Sequence, residues 1–143
     1  TNEVLHETKN YVMLDMLKTV VNKGTAVRLK YKYKLEGDIA GKTGTTQENS
    51  DGWFIGFTPQ ITAGAWVGAE ERYIHFRSTY LGQGANTGLP IWGKFLQKLY
   101  DDQSLQYEPS VFEKPKEDLP VVIDCSEYEK DESLNDLMND IGI

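Results

Sequence analysis

The sequence predicts an α+β fold: an antiparallel sheet of three main strands flanked by helices. Residues 8–23 and 89–100 repeat apolar side chains at three- and four-residue spacing, which is typical of amphipathic helices. Between these segments lie strand-like runs at residues 39–46, 53–57 and 61–70. Only Thr58-Pro59-Gln60 joins the last two runs, so we expect a tight turn and antiparallel neighbours.

The first predicted helix, residues 8–23, is followed by Gly24, a residue that commonly ends helices. Residues 28–35 then alternate strictly between a basic and an apolar side chain. A period of two predicts an edge strand or an extended loop with a basic outer face. We interpret the basic residues as a solvated edge that discourages aggregation. The alternative is a binding site for anionic glycan peptides or lipid headgroups.

Two tryptophans lie on the second and third predicted strands, Trp53 and Trp66. We expect both to pack in the core, with stacking on a ligand as the alternative. Residues 82–88 are rich in glycine but lack the Gly-Lys-Ser/Thr ending of a nucleotide loop, so we expect a loop that enters the second helix. His6 and His75 stand in no metal-ligand pattern, and we expect no metal and no cofactor.

Charge is distributed unevenly along the chain. Residues 1–100 carry 12 Lys/Arg and 9 Asp/Glu, whereas residues 101–143 carry 3 and 13. This shift predicts a boundary that separates residues 1–102 from an acidic, proline-punctuated tail at 103–143. We expect the tail to be mobile or adaptor-like, with an apolar run at 121–123 that could dock on a sheet edge and a helical turn at 133–138. The acidic tail would repel phosphates, which argues against a nucleic-acid partner.

The chemistry of the chain is concentrated in the first predicted strand, residues 39–46. Lys42 offers a positive charge, and Thr43, Thr45 and Thr46 offer hydroxyl donors that could hold a carboxylate. Gly44 has no side chain, so the backbone of a substrate could lie close to the strand there. This stretch is the candidate substrate-binding strand.

Longer strings around this strand carry a family resemblance. They are Gly41-Lys42-Thr43-Gly44-Thr45-Thr46, Asp51-Gly52-Trp53-Phe54-Ile55-Gly56-Phe57-Thr58-Pro59 and Ala65-Trp66-Val67-Gly68. Together they resemble the transpeptidase domain of bifunctional class A penicillin-binding proteins of the 1A type, over roughly residues 8–102. Lys-Thr-Gly is the third motif of that family and of the serine β-lactamases, after Ser-x-x-Lys and Ser-x-Asn. The resemblance implies the C-terminal portion of a penicillin-binding transpeptidase (β-lactamase-like) fold.

The resemblance also implies an activity. In the family, a serine attacks the D-Ala-D-Ala end of a peptidoglycan stem peptide, and an amine from a second strand captures the acyl-enzyme; β-lactam antibiotics mimic the first substrate. Lys42 would face the serine of Ser-x-Asn and act in catalysis. Thr43 and Thr45 would bind the substrate carboxylate, with Gly44 and Thr46 completing the binding strand, and the Thr45 amide would be one arm of the oxyanion hole.

The rest of that machinery is expected outside this sequence. None of the six serines has a lysine three residues later, and the Ser-x-Asn string at residue 133 lies after Lys42, contrary to the family order. We therefore expect the nucleophile upstream, in the preceding half of the domain, and expect this chain alone to be soluble and inactive. Its unpaired sheet edge could support self-association.

The resemblance places the parent protein in the bacterial cell envelope, anchored in the inner membrane with this domain in the periplasm and a glycosyltransferase domain upstream. Two other function classes stay open. One is a relative of the β-lactamases or D,D-carboxypeptidases, which the upstream sequence would identify. The other is a non-catalytic interaction module that recruits a partner through its acidic tail.

Overall fold

The computed structural model describes residues 5–123, which fall into two compact units. The larger unit is Met13–Lys114 and contains the sheet. Among the described residues, the smaller unit consists of residues 5–12 and 115–123. Within it, the His6 ring nitrogen Nε2 lies 3.7 Å from a carboxylate oxygen of Glu117, and both side chains are largely exposed.

Helix α1 spans Glu7–Asn22, close to its predicted bounds. The helix ends two residues before Gly24, whose amide donates to the carbonyl oxygen of Val20 at 3.1 Å. A Cβ at position 24 would lie 2.9 Å from that same oxygen, so glycine is required by the close approach of the backbone. Val21, on the last turn of α1, is fully buried in the core.

The expectation of a strand or extended loop at residues 28–35 is wrong for its first half, where Arg28–Tyr31 form the short helix α2. The helical turn buries Leu29 completely, and Tyr33 and Leu35, in the turn and loop that follow, are also buried. Tyr33 is held further by the Gln97 amide, which donates to its carbonyl oxygen at 2.7 Å. Packing of these apolar residues into the core overrides the local alternation.

The sheet has three antiparallel strands in the order β1-β2-β3 within the described residues. They are β1 at Ala40–Thr45, β2 at Asp51–Phe57 and β3 at Thr62–Gly68. A short 3₁₀ turn at Gln47–Asn49 joins the first two strands. The α+β prediction with three main strands is therefore confirmed, and β1 and β3 are the edges of the sheet as described.

Two helices follow the sheet: the short α3, Thr79–Gly82, and α4, Gly88–Asp101, which covers one face of the sheet. Phe54 of β2 is fully buried against Trp92 of α4, with ring centroids 5.3 Å apart in an edge-to-face arrangement. The Trp92 indole N–H donates to the carbonyl oxygen of Ala63 on β3 at 3.0 Å. A Cβ at Gly56 would lie 2.9 Å from the Trp92 ring, so the missing side chain lets the helix approach closely.

The expectation that Trp53 and Trp66 pack in the core is wrong. They lie on the sheet face opposite α4 and are 43% and 46% exposed. Side chains alternate along β2, so burying Phe54 under the helix directs Trp53 and Ile55 to the other face. The two indole rings are neighbours there, with centroids 6.3 Å apart.

The residues after α4 continue to pack within the larger unit as far as Phe112. The Asp38 amide donates to the Ser110 carbonyl oxygen at 2.7 Å, and the Phe112 amide donates to the Asp38 carboxylate at 3.1 Å. The Phe112 ring meets Phe57 edge to face at 5.9 Å. A separate role for residues 103–143 stays a prediction, and the expected turn at 133–138 lies outside the described residues.

No helix among residues 5–123 is both long and apolar enough to cross a bilayer. Across the same residues there is no group of three or more His, Cys, Asp or Glu side chains suited to a metal ion.

Candidate functional site

The open edge of β1 is the centre of the candidate site. The Thr46 amide donates to the Asp51 carbonyl oxygen at 3.1 Å, which fixes the hydrogen-bond phase of the β1–β2 ladder. In an antiparallel pair only alternate residues exchange bonds with the partner strand. The amide and carbonyl groups of Thr43 and Thr45 therefore point away from β2, and no backbone group within residues 5–123 pairs with them.

Lys42 is exposed on the face of the sheet opposite α4, across the ladder from Ile55. Its side chain bends toward the strand edge, where Nζ lies 3.0 Å from the carbonyl oxygen of Thr43. That oxygen is one of the groups that point to the open edge. The ammonium thus sits beside the outward-facing backbone, where it favours an anionic ligand.

Thr43 and Thr45 project to the face that carries Phe54 and α4, each at the margin of the sheet. The Thr43 hydroxyl lies 3.0 Å from the hydroxyl of Thr25, in the turn between α1 and α2. The Thr45 hydroxyl accepts a hydrogen bond from the backbone amide of Gly84 at 3.0 Å. Thr45 is itself exposed, so its hydroxyl is accessible from solvent.

Gly44 and Thr46 occupy different environments from their neighbours. Gly44 pairs with Trp53. A Cβ at position 44 would lie 3.3 Å from the Trp53 Cβ, slightly closer than an ordinary van der Waals contact. The Thr46 hydroxyl lies 2.9 Å from the Ser50 hydroxyl and accepts the Asp51 amide at 2.9 Å. Its contacts thus close the turn between β1 and β2, and its predicted substrate role stays a prediction.

Asp51 lies next to the candidate strand, and the sequence reasoning assigned it no role. Its carboxylate accepts the Trp66 indole N–H at 2.9 Å and lies within bonding distance of the Ser50 and Thr46 hydroxyls. The Trp66 bond is the main reason that the pKa of Asp51 lies below its ordinary value, and the two hydroxyls act in the same direction. This network ties β3 to the end of β1.

Two further contacts come from distant parts of the sequence, Thr25 on Thr43 and Gly84 on Thr45. The one sequence signal for these contacts was the glycine content of residues 82–88, which permits the backbone of this segment to lie close to a strand. Together, these residues build an edge with one ammonium, accessible hydroxyls and outward amides. Such a set can bind a carboxylate and can stabilise a developing oxyanion.

Comparison with known proteins gives a consistent result. The family described as the penicillin binding protein transpeptidase domain matches residues 2–71. Penicillin-binding protein 1A of Aquifex aeolicus is 37% identical over 85% of this chain and 15% of its own length. The protein of that name from Rickettsia bellii is 39% identical over 70% of this chain and 12% of its own length. This chain thus spans a small part of these relatives.

A solved structure shows a similar fold. The crystal structure of penicillin-binding protein 1A from Haemophilus influenzae matches with a TM-score of 0.57 and 24% identity. The match covers 77% of this chain and 16% of that chain. The arrangement of sheet and helices is therefore the one found in a segment of that protein.

Proposed function

Because this chain belongs to the transpeptidase family of the class A penicillin-binding proteins, we propose that it supplies the substrate-binding strand of a peptidoglycan D,D-transpeptidase. The observation that supports this most is the open edge of β1. There the Lys42 ammonium, the exposed Thr45 hydroxyl and the outward amides of Thr43 and Thr45 lie along one edge. The substrate would be the D-Ala-D-Ala end of a stem peptide, and β-lactams would bind as its mimics.

The chemistry follows from what each group can donate. The C-terminal carboxylate of the stem peptide accepts hydrogen bonds from the Thr43 and Thr45 hydroxyls. A serine from another segment attacks the carbonyl carbon of the penultimate D-Ala. The oxyanion that forms is stabilised by the Thr45 amide, a preorganised donor worth about 3 kcal/mol. The terminal D-Ala then leaves as an amine, and the acyl group stays on the serine oxygen.

Lys42 has the catalytic role in this scheme. Its ammonium stabilises the negative charge near the reacting centre and assists proton transfer from the serine to the leaving amine. An amine of a second stem peptide then attacks the acyl-serine and forms the cross-link. The serine and its partner lysine belong to the preceding part of the domain, so the chain alone has no acylation activity.

The parent protein has the wider organisation of the class A enzymes. We place it in the bacterial cell envelope, with this domain in the periplasm, an anchor in the inner membrane and a glycosyltransferase domain upstream. The support is the naming of the relatives as penicillin-binding protein 1A and the small share of their length that this chain covers.

Acylation of the full-length protein by a fluorescent penicillin tests the proposal. Lys42→Ala should slow labelling on the order of a hundredfold, as loss of a proton-transfer group does. Lys94→Ala removes an exposed lysine of α4 and serves as the matched control with unchanged labelling. Equal labelling of the Lys42 variant and the control would remove Lys42 from the mechanism.

The same labelling experiment separates a transpeptidase from a β-lactamase. A transpeptidase holds the acyl group for long enough to be seen on a denaturing gel. A β-lactamase hydrolyses it and releases fluorescent product within seconds to minutes. Rapid release with continuous turnover would therefore assign the protein to the second class.

A further inference from the structure

The segment between α3 (Thr79–Gly82) and α4 lies directly on the β1–β2 ladder. Gly84 is its point of closest approach. A Cβ at position 84 would lie 2.5 Å from the Gly44 carbonyl oxygen and still closer to that of Trp53. Only a residue without a side chain fits there, so the Gly84 backbone rests on the strand that carries Lys42 and Thr45.

This contact sets the hydrogen-bonding role of Thr45. The Gly84 amide donates to Thr45 Oγ1 at 3.0 Å. A hydroxyl has one proton to donate and two lone pairs to accept. With one lone pair occupied by Gly84, the Thr45 oxygen is fixed in place and its proton is free to donate to a ligand outside the sheet.

Arg28 of α2 holds the segment in this position. Its guanidinium donates to the Ala85 carbonyl oxygen at 3.3 Å and to the side-chain oxygen of Asn86. The Asn86 amide in turn donates to the Tyr80 carbonyl oxygen. Both bonds come from the same guanidinium nitrogen, Nη1, whose two N–H groups lie in the plane of the guanidinium and thus hold the two acceptors in a fixed geometry.

We propose that Arg28 is a positioning residue for carboxylate recognition: it holds residues 84–86 on the sheet, so that Gly84 orients the Thr45 hydroxyl toward the substrate. The proposal rests on the proposed function, because it assigns Thr45 to the carboxylate of a stem peptide or β-lactam. It also gives the basic residue at the start of the alternating segment a role that neither a solvated edge nor an anion-binding surface explains.

The test compares benzylpenicillin with its methyl ester as acylating agents of the full-length protein. The ester lacks the carboxylate charge. The second-order rate constant for the acid divided by that for the ester therefore measures carboxylate recognition. Arg28→Ala should lower the ratio about tenfold, and Thr45→Val should lower it at least as much. Arg28→Lys should restore part of the loss, because its ammonium can still reach one carbonyl. Lys32→Ala, which removes an exposed neighbouring charge, should leave the ratio unchanged.

The double variant gives the decisive comparison. If Arg28 acts through Thr45, Arg28→Ala combined with Thr45→Val should lower the ratio no further than Thr45→Val alone. Additive losses would overturn the proposal, and so would an Arg28→Ala variant that slows the acid and the ester equally, since that marks a general folding defect. If the unaltered protein is not acylated at all, the proposed function itself fails, a result distinct from either of these.

Discussion

The packing of Phe54 under α4 determines which side chains of the sheet face the helix, and its replacement by alanine tests that assignment of the sheet faces. The ring is completely buried and meets Trp92 edge to face. A Cβ at Gly41 would lie 2.8 Å from the ring, and one at Gly56 would lie 2.7 Å from it, so the surroundings are close-packed. Buried Phe→Ala changes cost about 3–5 kcal/mol, and loss of the aromatic pair favours the upper part of that range. We expect the free energy of unfolding to fall by about 4–5 kcal/mol.

Urea denaturation of the 143-residue chain, followed by tryptophan fluorescence, measures this change. Ile55 is the matched control, because it is the next residue on the same strand and is 50% exposed on the other face. Ile55→Ala should cost less than about 1 kcal/mol, because the removed atoms are already partly in water. A loss for Ile55→Ala equal to or larger than that for Phe54→Ala would refute the assignment of the sheet faces.

Two further outcomes follow from polar contacts. Trp66→Phe removes the main hydrogen bond that lowers the Asp51 pKa, so that pKa should rise, as measured by NMR titration of the carboxyl. Because the pKa of Asp51 is lowered in the folded state, its ionised carboxylate stabilises the fold. This stabilisation is present above the ordinary carboxyl pKa and is lost as pH falls through the lowered pKa. An unchanged Asp51 pKa in Trp66→Phe would contradict the hydrogen-bond network. Asp38→Ala removes the acceptor of Lys18 Nζ at 2.8 Å and of the Phe112 amide, and should cost about 1.5–3 kcal/mol in urea denaturation. An unchanged free energy of unfolding in Asp38→Ala would mean that the contact between Asp38 and Phe112 does not stabilise the fold.

Most helices and strands could be predicted from the sequence because the apolar periodicity and the turn residues agree with the fold. The predicted link at residues 58–60 is too short for anything but an antiparallel hairpin between β2 and β3. The amphipathic repeat in α4 consists of Trp92, Phe95, Leu96 and Leu99. It buries Trp92, Leu96 and Leu99 as the spacing indicates, whereas Phe95 is 42% exposed. Lys42–Thr45 lie in the first strand as predicted, whereas Thr46, which was assigned to the same strand, lies just after it at the start of the turn.

The faces of the sheet could not be assigned from alternation alone. A period of two shows that Trp53 and Phe54 point in opposite directions but does not show which one meets the helix. The available signal was the pair Gly52 and Gly56, small residues on the same face as Phe54 that let α4 and its preceding loop approach.

Contacts across long sequence separation account for what the sequence reasoning missed in the site. The bond from Gly84 to Thr45 spans 39 residues, and that from Arg28 to Asn86 spans 58. Neither has a local pattern, since both depend on how α2 and the loop before α4 meet the finished sheet. The helix at Arg28 likewise forms because Leu29 is drawn into the core, a tertiary effect that local alternation does not record.

Labelling with a fluorescent penicillin, applied in parallel to this chain alone and to the full-length protein, tests the central claim most directly. If β1 provides the substrate-binding strand and another segment provides the nucleophile, the full-length protein takes up the label and this chain alone does not. Stable label on the chain alone would show that it contains its own nucleophilic serine and would contradict the proposed division of the site.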